Sequence, residues 1–197
     1  MKTIVMASGN AGKIREIAHL LAGLDVEIVP QSELGVADAD ETGKSFEENA
    51  IIKARHAAAA TGLPAIADDS GLAVHALHGS PGVYSARFAG RNATDDENID
   101  KLLRDLEGVV DRTAAFHCAT CFVNPPDDVP VLAHGTWHGE ILSERRGSGG
   151  FGYDPVFFDP TTGKTSAELS PDEKNARSHR GQALRKLGVE LRARLDE

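Results

Sequence analysis

The sequence predicts an α/β protein with a mixed central sheet, flanked by helices and folded as two lobes around a substrate cleft. Short apolar runs alternate with segments of helical periodicity, and the chain opens with a strand, a helix and a second strand. Its 197 residues are enough for one domain with a substantial core. Because no repeat, linker or low-complexity tract divides the chain, we expect a single α/β domain over residues 1–197.

The N-terminal part has the pattern of a β-α-β unit. Residues 1–7 form an apolar run that predicts a buried first strand. Residues 13–21 carry apolar side chains at helical spacing, and residues 25–29 predict the second strand. The helix therefore connects two neighbouring strands of the predicted sheet.

A second helix is predicted after the polar stretch 31–44. Ser45-Phe46-Glu47-Glu48 has the sequence of a capping box, and the Ala-rich segment that follows should end at Gly62. The apolar run Pro64-Ala65-Ile66-Ala67 comes next and predicts a short buried strand.

The second half of the chain predicts a helix followed by a hairpin. Thr94-Asp95-Asp96-Glu97 has a capping sequence, and its helix should end near Leu106. Two long strand-like segments, residues 112–124 and 129–141, flank the turn sequence Pro125-Pro126-Asp127-Asp128. This arrangement is typical of an antiparallel hairpin.

The C-terminal part predicts one more strand and two helices. The strand covers residues 156–158, and Ser170-Pro171-Asp172-Glu173 caps the first helix with proline at its first position. The last helix should begin at about Ser178.

The charge balance limits the class of partner. Thirty acidic and 21 basic residues give a net charge of -9, and only 5% of the residues are aromatic, which argues against a nucleic-acid-binding surface. An anionic ligand would need a local basic cluster, a metal ion or both. The sequence contains no signal peptide or membrane span, so we expect no membrane partner.

Cys118 and Cys121 form a C-x-x-C motif within a strand-like run. The two side chains should point to opposite faces of that strand, and no second C-x-x-C completes a zinc site. We interpret both as ordinary core or surface cysteines. Free thiols are compatible with a reducing cytoplasm, which is the predicted location.

The most informative feature is the acidic cluster Asp68-Asp69-Ser70-Gly71. Adjacent carboxylates repel each other unless a cation, a basic residue or water neutralises them. At the carboxyl end of a buried strand, the pair is well suited to hold Mg²⁺ while one carboxylate activates water. The same residues are also turn formers, so an acidic turn after the strand explains them equally well.

A glycine-containing loop lies between the first strand and the first helix. Its sequence is Ser8-Gly9-Asn10-Ala11-Gly12-Lys13, which allows close approach of the backbone to an anion at the helix N-terminus. The loop is not a P-loop, because the spacing of its glycines is too short and Ile14 follows Lys13. An ordinary βα turn remains an alternative.

A second group of candidate ligand-binding residues lies near the C-terminus. Lys174, His179 and Arg180 fall on or beside predicted helix starts. Before them, a Gly-rich loop runs into Phe151-Gly152-Tyr153-Asp154. A planar base can stack on Phe151 while Asp154 reads donors on its edge, and inward packing of Phe151 and Tyr153 is the alternative.

Six motifs in order resemble the inosine/xanthosine triphosphate pyrophosphatases over nearly the whole chain. They are Ser8-Gly9-Asn10-Ala11-Gly12-Lys13, Glu41-Thr42-Gly43-Lys44-Ser45-Phe46-Glu47-Glu48-Asn49-Ala50, Ala67-Asp68-Asp69-Ser70-Gly71-Leu72, Pro81-Gly82-Val83-Tyr84-Ser85-Ala86-Arg87, Gly150-Phe151-Gly152-Tyr153-Asp154-Pro155 and Ser178-His179-Arg180. The resemblance implies a homodimeric, Mg²⁺-dependent hydrolase. Such enzymes convert dITP, ITP and XTP to the monophosphate and pyrophosphate, which keeps deaminated purines out of nucleic acids.

The resemblance also assigns roles to residues. It implies that Asp69 is the general base and a metal ligand, that Glu41 is the second metal ligand and that Ser70 touches the substrate. Ser8 to Lys13 would hold the triphosphate, while Phe151 to Asp154, Lys174 and His179-Arg180 would surround the purine. Lys53, four residues after Asn49, is a supporting residue that offsets Asp68 or contacts phosphate.

Two other interpretations stay open. The first is a pyrophosphatase of modified pyrimidine or methylated nucleotides, similar to the septum-inhibitor-like proteins. The second is a nucleotide sensor without catalysis, which has no need for a water-activating carboxylate such as Asp69.

Overall fold

The computed structural model describes residues 2–23 and 25–195. In that part of the chain, strands form one mixed sheet in the order β2-β1-β3-β4-β5-β6-β7. The strands are β1 (Lys2–Met6), β2 (Val26–Pro30), β3 (Ala65–Val74), β4 (Thr113–Asn124), β5 (Asp127–Ile141), β6 (Phe157–Asp159) and β7 (Lys164–Thr165). Strand β1 pairs in parallel with β2 and β3, whereas β6 pairs antiparallel with β5 and β7. The predicted mixed α/β fold is confirmed.

The helices follow the predicted capping signals closely. The α-helices are α1 (Ala11–Leu21), α2 (Phe46–Thr61), α3 (Asp95–Asp105), α4 (Pro171–Arg177) and α5 (His179–Leu195). Helix α2 ends at Gly62, whose positive φ of 69° suits glycine, and complete capping boxes begin α3 and α4. Ser45 caps α2, but Glu48 accepts from the backbone N–H of Lys44 instead of Ser45, so the capping box there is incomplete.

The prediction that a strand ends before Asp68 is wrong. Strand β3 continues to Val74, and it does so because Leu72 and Val74 are fully buried and therefore extend its apolar pattern. The acidic turn is excluded for the same reason. The predicted hairpin turn is shorter than expected, because β5 already begins at Asp127 and only Pro125-Pro126 connect the two strands.

Short elements went unpredicted because their patterns are too brief to show periodicity. These are strand β7 and the 3-10 helices Gln31–Leu34, His75–Leu77, Gly82–Arg87 and Ser166–Glu168. None of the described helices has the length and apolar character needed to span a bilayer.

The chain divides into two compact units. Unit 1 comprises Met1–Asp69, Cys118–Gly135 and His179–Glu197, and unit 2 comprises Ser70–His117 and Thr136–Ser178. In unit 1, α1 and α5 bury their apolar faces together with Ile4, Met6 and Ile66, while the alanines of α2 pack against Val5, Ala65 and Ala67. Unit 2 has its own core around Trp137, Tyr153 and Phe157. That the whole chain forms one domain stays a prediction.

Both cysteines are buried thiols in β4. Cys121 packs in the core of unit 1, and the Cys118 Sγ lies 3.9 Å from the Asp68 Oδ2. Burial raises the pKa of each thiol to about 12. Thiols with such a pKa are inert, which agrees with their interpretation as structural cysteines.

Candidate active site

Asp68 and Asp69 occupy neighbouring positions within β3 without sharing an environment. Successive side chains on a strand point to opposite faces, so the backbone itself separates the two charges. Asp68 is fully buried and Asp69 is 6% exposed. Each carboxylate has its own cationic partners within unit 1, which removes the repulsion that the sequence implied.

Asp68 is held by two cations. Arg180 donates from Nε and Nη2 to Asp68 Oδ2 at 3.2 and 3.0 Å, and the Lys13 Nζ lies 3.2 Å from the same oxygen. Burial alone would raise the pKa of Asp68, but Lys13 and Arg180 outweigh it and keep this pKa well below its usual range. Asp68 is therefore a permanent anion that fixes Lys13 and Arg180, and not a proton acceptor.

Asp69 has a different environment. Its Oδ1 accepts from the Lys53 Nζ at 2.9 Å, and its Oδ2 accepts from the Asn49 Nδ2 at 3.0 Å. Burial raises the pKa of Asp69 despite the opposing charges of Lys53 and Lys13. A carboxylate with a raised pKa is a better general base than an exposed aspartate.

Lys53 links Asp69 to Glu41. Its Nζ lies 2.9 Å from the Glu41 Oε1 as well as 2.9 Å from the Asp69 Oδ1. The direct partners of Lys53 are Asp69 and Glu41, and its charge also helps to lower the pKa of Asp68, which agrees with the prediction that Lys53 offsets Asp68. Burial lowers the pKa of Lys53, but the carboxylates of Asp69, Asp68 and Glu41 together outweigh this effect and raise it.

The oxygens of this cluster suit a hard divalent cation. Glu41 and Asp69 face the same ammonium group, that of Lys53. Among the described residues, no group of at least three His, Cys, Asp or Glu side chains is arranged to hold a metal. Glu41 and Asp69 are the carboxylates of this cluster that would hold a hard divalent cation with few protein ligands.

The Ser8 to Lys13 loop leads into the N-terminus of α1. The Asn10 Oδ1 accepts from the Lys13 backbone N–H at 3.0 Å, and the Ser8 Oγ accepts from the Asn10 backbone N–H at 3.2 Å. Gly9, Asn10 and Ala11 are exposed, whereas Ser8 and Gly12 are half-buried. The loop is thus ordered by its own side chains and presents a helix N-terminus, a favourable place for an anion.

In unit 2, Asp154 organises the predicted base-binding residues. It is 4% exposed, and its Oδ2 accepts from the Lys174 Nζ at 2.5 Å and from the Phe151 backbone N–H at 2.9 Å. Its Oδ1 accepts from the Ser166 Oγ at 2.8 Å. Both oxygens thus accept hydrogen bonds within unit 2, and that Asp154 also reads the edge of a base stays a prediction.

Phe151 and Tyr153 differ in their surroundings. The Phe151 ring is half-buried, and the Lys174 Nζ lies 4.8 Å from its centroid. Tyr153 is 5% exposed, packs in the core of unit 2 and donates from its hydroxyl to the Ser85 carbonyl at 2.8 Å. The inward alternative thus holds for Tyr153, whereas stacking of a base on Phe151 stays a prediction.

The other predicted residues divide between the units. Gly152 donates its backbone N–H to the Asp95 Oδ2 at 2.7 Å, and Ser70 follows Asp69 in β3 and is half-buried; both belong to unit 2. His179 and Arg180 begin α5 in unit 1 and are 6% and 2% exposed. The structure brings together Lys13, Glu41, Lys53, Asp68, Asp69 and Arg180 in unit 1, and Phe151, Asp154 and Lys174 in unit 2.

Two residues that contact this cluster were not predicted from the sequence. Glu16 on α1 accepts from the Arg180 Nη1 at 2.5 Å, and Asn49 on α2 donates to Asp69. A signal existed for both: Glu16 is three residues from Lys13, and Asn49 is four residues from Lys53, so each shares a helix face with a predicted residue.

Comparison with known proteins agrees with this arrangement of motifs. The family model described as the Ham1 family matches residues 4–189. The chain belongs to the Ham1 family. The predicted resemblance is thereby confirmed over nearly its full length.

Relatives within the Ham1 family match the chain almost end to end. A Pectobacterium atrosepticum protein named dITP/XTP pyrophosphatase is 58% identical, and the match covers 98% of this chain and 99% of that protein. The HAM1 protein structure from Coxiella burnetii is 54% identical, with a TM-score of 0.89 over 98% of this chain and all (100%) of that one. The Ham1 protein structure from Staphylococcus aureus is 44% identical, with a TM-score of 0.88 and the same coverage of 98% and 100%.

Proposed function

We propose that this protein hydrolyses non-standard purine nucleoside triphosphates, namely dITP, ITP, XTP and dXTP, to the monophosphate and pyrophosphate. The observation that carries the proposal is the environment of Asp69, a largely buried carboxylate with a raised pKa among Lys53, Asn49 and Glu41. The name of the 58% identical relative, dITP/XTP pyrophosphatase, supports the same substrates. Such an activity removes deaminated purines from the nucleotide pool.

The proposed reaction begins with a water molecule that Asp69 deprotonates. The water oxygen forms a bond to phosphorus, the bridging bond between the α- and β-phosphates breaks, and pyrophosphate leaves. The water proton goes to the Asp69 carboxylate, which Lys53 and Asn49 hold in place. Lys13 and the N-terminus of α1 would stabilise the charge that develops on the phosphate oxygens.

Asp68 and Arg180 have a supporting role in this proposal. Because Asp68 stays ionised, it holds the Lys13 ammonium 3.2 Å from its Oδ2. Arg180 holds the same carboxylate from α5, so the beginning of α5 and the phosphate loop are joined through one anion. A preorganised cation stabilises a developing negative charge without the cost of reorganisation.

Mg²⁺ is the proposed cofactor, and Glu41 and Asp69 would hold it. When bound, the ion would supply Lewis-acid stabilisation of the phosphates and a lowered pKa of bound water. Glu41 and Asp69 both lie within 2.9 Å of Lys53 Nζ, so the two carboxylates already face a shared cation position.

The candidates for purine recognition in unit 2 are Phe151 and Lys174. Hypoxanthine and xanthine carry an oxygen at position 6, where adenine carries an amine. Lys174 has donors and no acceptor, so it would favour that oxygen, and Phe151 would supply a stacking surface. A buried donor that faces the adenine amine is unpaired, which costs about 1–3 kcal/mol.

Guanine also carries an oxygen at position 6, so its rejection depends on the 2-amino group. The pocket has to accept the 2-oxo group of xanthine and the unsubstituted position of hypoxanthine. We further propose that the protein acts as a homodimer in the cytoplasm, where a reducing environment keeps Cys118 and Cys121 as thiols.

A substrate panel tests the proposal. Initial rates of pyrophosphate release would be measured with ITP, dITP, XTP, the common nucleotides, and modified pyrimidine and methylated nucleotides. We expect ITP, dITP and XTP to exceed ATP and GTP by at least about tenfold in kcat/KM, as a difference of about 1.4 kcal/mol requires. Preference for the modified pyrimidine or methylated nucleotides would favour the septum-inhibitor-like alternative, and tight binding without turnover would favour a sensor.

A further inference from the structure

Asn49 is fixed on both sides of its amide group. Its Nδ2 donates to the Asp69 Oδ2 at 3.0 Å, and its Oδ1 accepts from the Gly43 backbone N–H at 2.8 Å. The side chain is 1% exposed. The NH2 group of the amide needs an acceptor and its oxygen needs a donor. Because Asp69 supplies the acceptor and Gly43 the donor, only one orientation of the amide satisfies both bonds.

The partners of Asn49 belong to the two proposed metal-binding segments. Asp69 lies on β3, and Gly43 is two residues after Glu41 in the segment before α2. A β-carbon at Gly43 would lie 2.6 Å from the Asn49 Oδ1 and 2.9 Å from its backbone nitrogen, so the close approach needs glycine. The Glu41 segment and Asp69 are therefore held in register through one amide.

A neutral donor has a distinct effect on a catalytic carboxylate. Lys53 fixes the Asp69 Oδ1 with a full positive charge, whereas Asn49 fixes the Oδ2 without adding charge. Two donors on different oxygens define the plane of the carboxylate, and a defined plane is what a base needs to face its water. From this geometry we infer that Asn49 is a positioning residue for the proposed hydrolysis, which orients Asp69 and ties it to the Glu41 segment.

Unit 2 contains an internal control for this inference. Asn98 is the fourth residue of α3, as Asn49 is the fourth residue of α2, and it is 3% exposed. Its Oδ1 accepts from the Ala89 backbone N–H at 2.8 Å, and its Nδ2 donates to the Ala86 carbonyl at 3.2 Å. The two asparagines share helix position, burial and a backbone donor, and differ in that only Asn49 donates to a carboxylate.

The inference rests on the proposed function and is tested on the full chain with paired variants. Asn49→Ala and Asn98→Ala would be compared by thermal unfolding and by kcat and KM for ITP with saturating Mg²⁺. Both substitutions should lower the unfolding temperature, because each leaves a buried backbone N–H without its hydrogen-bond acceptor. Only Asn49→Ala should lower kcat, by about tenfold or more, with KM changed by less than about threefold.

If an alanine variant fails to fold, the milder variants Asn49→Ser and Asn98→Ser allow the same comparison of kcat and unfolding temperature. Serine is too short to reach Asp69 from position 49 but retains a polar group near Gly43. Normal kcat in the Asn49 variants would overturn the inference, and so would an equal loss of kcat in the Asn98 variants. Absence of pyrophosphate release by the wild-type chain would instead overturn the proposed function, so the two failures are distinguishable.

Discussion

At the level of single side chains, the two adjacent aspartates have opposite electrostatic roles. Asp68 is an anion that Arg180 and Lys13 hold with a lowered pKa, whereas burial raises the pKa of Asp69. The alternation of side chains along β3 makes this possible, since it places neighbouring residues in separate environments. One strand segment thus supplies both a fixed counter-ion and a proton acceptor.

The assignment of the base to Asp69 is tested by Asp69→Asn. The amide keeps the size of the side chain but cannot accept the water proton, so kcat for ITP should fall at least about a hundredfold. Binding of ITP, measured by calorimetry in the presence of Ca²⁺ or Mg²⁺, should persist. Asp128→Asn, which changes an exposed ion pair with Arg55, is the control and should keep normal turnover. Near-normal kcat in Asp69→Asn would place the base elsewhere.

The assignment of Asp68 as a structural anion predicts a pH-dependent loss of stability in Asp68→Asn. Removing this charge leaves Arg180 and Lys13 without their shared partner, which should cost about 3–5 kcal/mol of unfolding free energy at pH 7. Because the folded pKa is lowered, the contribution is complete above the ordinary aspartate pKa of about 3.9 and is lost as the pH falls toward the folded value.

Urea unfolding of the wild type and Asp68→Asn at several pH values provides the measurement. The difference between the two proteins should be constant near neutral pH and shrink below pH of about 4. A difference that grows on acidification would contradict a lowered pKa for Asp68.

At the level of secondary-structure elements, β5 determines where α5 can lie within unit 1. A β-carbon added to Gly135 would overlap the backbone carbonyl oxygen of His179 and lie 2.9 Å from the Ala183 backbone nitrogen. These are backbone atoms, so no rotamer change relieves the overlap. The start of α5, which carries His179 and Arg180, therefore depends on glycine at position 135.

Gly135→Ala should displace the start of α5 and so weaken both folding and substrate binding. We expect a loss of about 1–3 kcal/mol in unfolding free energy and a raised KM for ITP. Gly188→Ala, a substitution within α5 itself, is the control, because its β-carbon would meet nothing within 4 Å. That control should gain about 0.5–1 kcal/mol and leave KM unchanged. If Gly135→Ala is less stable but its KM for ITP is unchanged, the start of α5 does not take part in substrate binding.

The elements that the sequence predicted well share one property: their signals are local. Caps at Ser45, Thr94 and Ser170 and the stop at Gly62 act within one helical turn and therefore can be read from neighbouring residues. The extent of β3 could not be read in this way, because it depends on burial of Leu72 and Val74 by residues far away in sequence. Carboxylates inside a strand contradict local propensity, and here tertiary ion pairs and the hydrogen bond from Asn49 stabilise them.

The same contrast applies to the candidate site. Motifs identified Lys13, Glu41, Asp69 and Lys174 from residue type and order. The partners Glu16 and Asn49 were missed, since their bonds to Arg180 and Asp69 span 164 and 20 residues. Asp154 was identified from its motif, whereas its bond to Lys174, 20 residues away, could not be read from the sequence.

At the level of the whole protein, a chain with a net charge of -9 is proposed to bind a polyanion. In unit 1, the cations Lys13, Lys53 and Arg180 are paired with the carboxylates of Asp68, Asp69, Glu41 and Glu16, so these side chains alone provide no excess of positive charge. Added Mg²⁺ would supply further positive charge as the substrate binds. The same net negative charge is the reason that nucleic acid is not an expected partner.

Identification of the products of ITP hydrolysis tests the proposed function most directly. The purified chain would be incubated with ITP and Mg²⁺, and the phosphorus-containing products separated and quantified at early times, with EDTA and Asp69→Asn samples in parallel. We predict equal amounts of IMP and pyrophosphate, no early orthophosphate, and loss of turnover in both parallel samples. Release of orthophosphate with IDP, or unchanged turnover in EDTA, would contradict a Mg²⁺-dependent pyrophosphatase centred on Asp69.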